Sequence, residues 1–204
     1  MVDPAVARRD FDQAADAFLA LVARVPDDAW EQPGLGVWTV RELVGHTTRA
    51  FTTIELSATA RAATLVDAVA YFGVGRSAGI TNSEAVADRG REAGRGLGPD
   101  PRTTVRDRAT AVRATVDAAP DDAVVVGRLG VIRLVDYLPT RTFELVVHGL
   151  DLQAALGLPH AAPTGPLAAC LRLATDLAGE QGLGPALLLA LTGRRPLPAD
   201  TCVL

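Results

Sequence analysis

The segment YLPTRTFELVVHGLDLQ, residues 137–153, sets ionisable side chains into an otherwise apolar stretch. Read as a helix at about 100° per residue, it brings Tyr137, Arg141, Glu144, His148 and Asp151 within roughly 80° of one another. Phe143, Leu145, Val146, Val147, Leu150 and Leu152 spread over much of the remaining surface. A helix this apolar is buried or nearly so, and buried ionisable groups are costly unless they are paired or bind a metal. Glu144 and His148 stand at i and i+4, so a carboxylate oxygen and an imidazole nitrogen can reach one point. That is half of a metal site.

The chain has three histidines, His46, His148 and His160. His46 ends the run WTVRELVGH at 38–46. Thr39 followed by Glu42 fits a capping box, which fixes a helix start and sets His46 about two turns in. The apolar stripe of that helix runs through Val40, Leu43, Val44, Thr47, Phe51 and Ile54. His46 lies at its edge, where a neighbouring helix would approach. His46 from one helix with Glu144 and His148 from another gives three N/O ligands and an open position, the ligand count of a catalytic zinc-type site. His160 sits in a proline-bounded linker and reads as solvated.

The elements that must hold these residues are helical. Strand-like alternation is scarce, which favours an all-α fold, and 204 residues suffice for one good core. Phe11, Ala15, Phe18, Val22 and Val25 mark a first amphipathic helix over 4–25. The capped helix is expected from Thr39 to about Ala63. Gly73, Gly75 and Gly79 leave 64–82 ambiguous. Asn82 or Ser83 can cap a third helix to about Gly94, and Thr103 to Ala119 reads as a fourth. Val124–Val126 and Val131–Leu134 suggest a short hairpin around Gly127 to Gly130. The polar-striped helix follows, with Pro139 near its start. After a linker, Pro159 to Pro166, Leu167 to Glu180 and Pro185 to Leu191 add a C-terminal helical pair. Helices with polar side chains projecting inward describe a bundle that holds a metal in its core.

Composition narrows the partners. The net charge of −4 argues against nucleic acid and against an anionic membrane surface. No apolar run approaches a membrane span, and the charged N-terminus lacks a secretory pattern. The basic residues are all arginine. Cys170 and Cys202 lack metal or redox spacing. A cytoplasmic protein acting on small molecules, as monomer or homodimer, is expected.

WTVRELVGH at 38–46 and RTFELVVHGLDL at 141–152 resemble the DinB-like four-helix superfamily, and within it the mycothiol-dependent maleylpyruvate isomerase group. The resemblance covers roughly residues 5 to 157, and the tail ALTGRR at 190–195 is similar to the group's C-terminal region. It implies a DinB-like four-helix bundle over 1–157 with a helical extension over 158–204. It also implies a divalent metal, usually zinc, held by His46, Glu144 and His148. The maleylpyruvate isomerase itself carries a substantial second domain, where this chain has only about forty-five residues after the match. The implied activity is therefore general: a thiol transferase or isomerase that uses mycothiol or a related thiol against an electrophilic small molecule.

Other residues keep two readings. Asp151 is either an acceptor for a ligand imidazole N–H or a buried partner of Arg141 or another arginine. Arg141 either binds a substrate carboxylate or is structural, and Arg49 shares that ambiguity. Tyr137 is a site donor or a core tyrosine. Trp38 reads as a packing anchor. Glu42 is either a fourth ligand or, more simply, the cap. Two rival functions stand beside the thiol reading. One is zinc-dependent hydrolysis, with Asp151 or Glu42 as the general base. The other is a non-catalytic metal-binding or regulatory bundle.

Overall fold

The computed structural model describes residues 2–57, 62–78, 83–199 and 201–204. Its elements run α1 (Pro4–Ala23), α2 (Val40–Thr52), α3 (Ala68–Ser77), α4 (Ser83–Arg95), α5 (Pro101–Ala118), β1 (Val124–Gly127), β2 (Gly130–Arg133), α6 (Leu134–Ala155), α7 (Thr164–Glu180) and α8 (Gly184–Leu191). The fold is all-α and DinB-like, with one small antiparallel hairpin among the described residues.

Four helices close the bundle: α1 and α2 each pack against both α5 and α6. Local chemistry fixes their starts. Asp3 accepts from Ala5 and Val6 N–H, with Pro4 in the first turn. Asp100 accepts from Thr103 N–H ahead of α5. The capping box of α2 is complete: Glu42 N–H donates to Thr39 Oγ1 at 3.3 Å, and Thr39 N–H donates to Glu42 Oε2 at 2.9 Å. Phe11, Phe18 and Phe51 meet in the interior, with ring centroids 6.2 and 6.3 Å apart. α7 packs on α6 and α1, burying Cys170, Leu173 and Leu177, and α8 packs against α7.

α2 ends at Thr52, not near Ala63. Three β-branched residues in a row, Thr52, Thr53 and Ile54, weaken helix propagation, and the Thr53 hydroxyl donates back to the Arg49 carbonyl at 2.8 Å. The chain then turns to serve the hairpin edge. Ser57 N–H donates to the Val124 carbonyl at 2.9 Å, and Val126 N–H donates to the Glu55 carbonyl at 3.2 Å. An edge strand left unpaired exposes a row of unmet polar groups, and this pairing outweighs about three further helical turns. The ambiguous stretch contains α3, capped by Asp67. α6 starts at Leu134, three residues earlier than the polar stripe, so Pro139 lies inside it. The linker is shorter than expected, because α7 begins at Thr164. The proposed Asn82 cap lies outside the described residues. Among those residues, no helix is long and apolar enough to cross a membrane.

α2 and α4 approach unusually closely. A Cβ on Gly45 would stand 2.4 Å from the Gly94 nitrogen, and one on Gly90 would stand 2.4 Å from the Trp38 ring. Glycine is required at these contacts because the backbone and indole leave no room for a methyl. Gly45→Ala is therefore expected to force the helices apart at a cost of about 1–3 kcal/mol. A lowered thermal midpoint by circular dichroism checks this; an unchanged melt would show that the seam is not tight.

Candidate metal centre

His46 enters from α2, and Glu144 and His148 from α6. His148 Nε2 stands 3.3 Å from Glu144 Oε2, and His46 Nε2 stands 4.0 Å from the same oxygen. One ligand atom from each residue lies within 4.8 Å of the others. Three donors at zinc distances and tetrahedral angles stand about 3.3 Å apart, so the set needs only a small closure to fit such an ion. The two imidazole rings meet edge to face, with centroids 4.9 Å apart.

The surroundings also fit a metal. His148 Nδ1 donates to Asp151 Oδ2 at 2.9 Å. That bond fixes the tautomer and leaves Nε2 directed at Glu144, the usual arrangement of a metal-ligating histidine. Asp151 reaches His148 and not Arg141. The buried His46 Nδ1 has no hydrogen-bond partner. The Trp38 indole lies against the His46 ring, with centroids 4.5 Å apart, and its Nε1–H donates to the Ala87 carbonyl at 3.0 Å. Trp38 is therefore more than a packing anchor at a helix start. It forms the wall that holds His46.

Burial, together with the neighbouring charge of His148, pushes His46 down to about 4, so its ring is neutral with a lone pair to give. Burial alone would raise Glu144, but the hydrogen bond from His148 and the charge of Arg141 hold its carboxyl at about 2. Burial alone would lower His148, but its bonds to Asp151 and Glu144 outweigh that and push it up to about 9. In the metal-free site Glu144 is thus an anion, His46 neutral and His148 an imidazolium.

The triad opens into a cavity of about 440 Å³ lined by Trp38, Phe72, Tyr137, Arg141 and others. Tyr137 is buried, and its hydroxyl donates to Thr53 Oγ1 at 3.2 Å. Arg141 is buried on the same wall and donates to the Thr140 and Thr53 hydroxyls at 3.0 and 3.2 Å. Arg49 also lines the cavity. Glu42 remains committed to the α2 cap, and His160 is exposed. Sequence reasoning missed Tyr71 and Arg128, which line the same cavity. They come from the ambiguous stretch and the hairpin turn, where no periodicity marks a direction.

A model of the mycothiol maleylpyruvate isomerase N-terminal domain family matches residues 3–153. The chain belongs to that family. The matched span takes in His46, Glu144, His148 and Asp151, and membership gives the chain a mycothiol-related, enzyme-like function at the family level. No curated protein and no solved structure matches the chain.

Two outcomes are expected from the geometry. Asp151→Ala should weaken zinc affinity about 10–100-fold in competition with a chromophoric chelator. Zinc must also displace the His148 proton. That proton stays bound in the metal-free site until pH rises through about 9, so apparent affinity should climb by up to about tenfold per pH unit from neutrality toward that value. A flat affinity profile over this range would remove His148 from the ligand set.

Proposed function

We propose that this protein is a metal-dependent transferase or isomerase that uses a low-molecular-weight thiol, mycothiol or a relative, against an electrophilic small molecule. The observation that carries this reading is the convergence of His46, Glu144 and His148 at the wall of an open cavity of about 440 Å³. A site with three protein donors and room beside them suits a catalytic ion better than a structural one. The family's mycothiol connection supports a thiol as the molecule that enters.

Two nitrogens and one oxygen suit zinc. A divalent ion there supplies positive charge that lowers the pKa of a thiol brought to the open side. The chain does the rest. Asp151 holds the His148 ring in one orientation. Trp38 fixes the His46 ring from its face. Phe72, Tyr71 and Tyr137 set aromatic rings along one flank of the cavity. We further propose residues 1–157 as the metal-binding bundle and 158–204 as its extension.

The sulfur that reacts is external in this reading. Cys170 is buried in α7, outside the cavity wall, and burial together with the Asp10 charge pushes its thiol up to about 12. Cys202 is exposed, and its thiol donates to the Leu204 carbonyl at 3.3 Å. The hydrolytic alternative needs a free general base, and both sequence candidates are engaged: Asp151 with His148, Glu42 with the α2 cap. The non-catalytic alternative leaves the open cavity beside the triad without a role.

The test is turnover of a panel of electrophiles by zinc-loaded protein, with and without mycothiol or a thiol analogue. Activity should require the thiol. His148→Ala should lose it with the metal, by more than the roughly 10–100-fold typical of lost supporting contacts. Cys170→Ser and Cys202→Ser should retain it. Turnover without added thiol would favour hydrolysis instead, and dependence on Cys202 would place the nucleophile in the protein.

A further inference from the structure

A second cavity, of about 710 Å³, lies between α1, α3, α6 and α7. It shares no described lining residue with the cavity at the triad. Asp136, Pro139 and Thr142 reach it from α6 at the i, i+3 spacing of one helix face. Much of its wall is aliphatic, with Val6 from α1, Leu65 and Val69 from the start of α3 and the turn before it, and Leu173 from α7. The metal chemistry makes no use of it.

Buried polar groups stand in this wall. Asp136 is answered by Arg133 at 2.6 Å, but Asp10 and Thr142 are not fully answered. Asp10 is only 4% exposed. Its Oδ1 meets the largely exposed Arg9 at 3.3 Å and lies against the first turn of α7, where a Cβ on Gly165 would stand 3.0 Å away. Among the described residues, no hydrogen bond or ion pair reaches its Oδ2. Thr142 is 1% exposed, and its hydroxyl has no partner. Elsewhere in the chain Thr47, Thr48, Thr110, Thr115 and Thr175 each donate to the carbonyl one helical turn back, the local way to satisfy a threonine in a helix. Thr142 forgoes that bond, and an unmet buried hydroxyl is costly. Pro139 has no N–H, so the Val135 carbonyl also lacks its usual helical donor. Charge points the same way. The described lining holds four acids, Asp10, Asp67, Asp136 and Asp176, against two arginines, Arg133 and Arg172. An anion would be repelled there, and an uncharged apolar molecule would leave Asp10 and Thr142 unanswered.

We propose that this second cavity is a binding site for an organic ammonium ion, a primary amine with an aliphatic body. The ammonium group donates to Asp10 Oδ2 and to the Thr142 hydroxyl, and the body lies along Val6, Leu65, Val69 and Leu173. A primary ammonium carries three donors and no acceptor, which suits a wall whose unmet groups are able to accept. Its bond to the carboxylate is charge-assisted and is strengthened by the surrounding aliphatic side chains. The site goes beyond the thiol reading and needs no metal.

The test titrates the full chain by calorimetry with hexylamine, hexanol and hexanoate, three probes that share one body and differ in charge. Hexylamine should bind saturably, more weakly as salt rises, and equally well to metal-free and zinc-loaded protein. Hexanol should bind at least tenfold more weakly, and hexanoate should not bind. Asp10→Asn should cost on the order of tenfold to a hundredfold in hexylamine affinity, the loss of a charge-assisted hydrogen bond. Thr142→Val, which keeps the shape, should cost about twofold to tenfold. The same variant should raise the thermal midpoint of the free protein, because it removes an unmet buried hydroxyl. A threonine with a purely structural role would not combine a firmer fold with weaker amine binding. If Asp10→Asn does not fold, Thr142→Val decides alone. Equal binding of hexanol, preference for hexanoate, or hexylamine binding that appears only with zinc overturns the proposal. So does hexylamine binding indifferent to these variants, or no hexylamine binding at all.

Discussion

Glu144 answers to three charged or ionisable partners at once. Its carboxylate faces His148 at 3.3 Å and His46 at 4.0 Å, and the charge of Arg141 bears on it from one turn earlier on α6. In a medium of low effective dielectric such interactions are far stronger than in water. They keep Glu144 ionised although burial opposes it. Removing this one charge would leave the His148 imidazolium and the Arg141 guanidinium at one cavity wall without the anion they share. The rest of the architecture can be understood as what brings the partners of this carboxylate into range and holds them there.

Two of those partners need only the helix they share with Glu144. The i, i+4 step delivers His148, and the i, i−3 step delivers Arg141. His46 needs tertiary structure. The capping box sets the first turn of α2 and hence the rotation of His46 about its axis. The glycine seam between α2 and α4 then lets Trp38 pack against both α4 and the imidazole, tilted 31° to that ring. A helix pair at ordinary separation would leave a gap behind His46. The close approach removes that gap, and the ring is held by packing where Asp151 holds its counterpart by a hydrogen bond.

This division explains what could be read from the residues alone. Positions on one helix are linked by a fixed period, so Glu144, His148, Asp151, Arg141 and Tyr137 were legible as a stripe. The Thr39–Glu42 cap was legible because it is a local reciprocal bond. The end of α2 was not, because Thr52–Ile54 is only weakly unfavourable to helix and the decisive pull came from the hairpin some seventy residues later. The choice left open for Asp151 turned on a rotamer, and the geometry delivers it to His148. Arg128 sits in a tight turn between two strands, where periodicity says nothing about which cavity the side chain lines.

The same reasoning bears on why α6 tolerates these groups at all. Hydrophobic residues of similar volume in place of a buried ionic set are often neutral or stabilising. The bundle has ample apolar contact without them: Leu134, Leu138, Leu145 and Leu152 are all fully buried on the same helix. Stability therefore does not call for Glu144, His148 and Arg141 at the cavity wall. Nor does solubility, since their side chains are turned inward. What they add is a pre-arranged set of one anion, two imidazoles and one rigid cation, held before any ligand arrives. Arranging these charges in advance costs the fold some stability, and it spares an entering molecule most of the reorganisation that water would otherwise have to undergo.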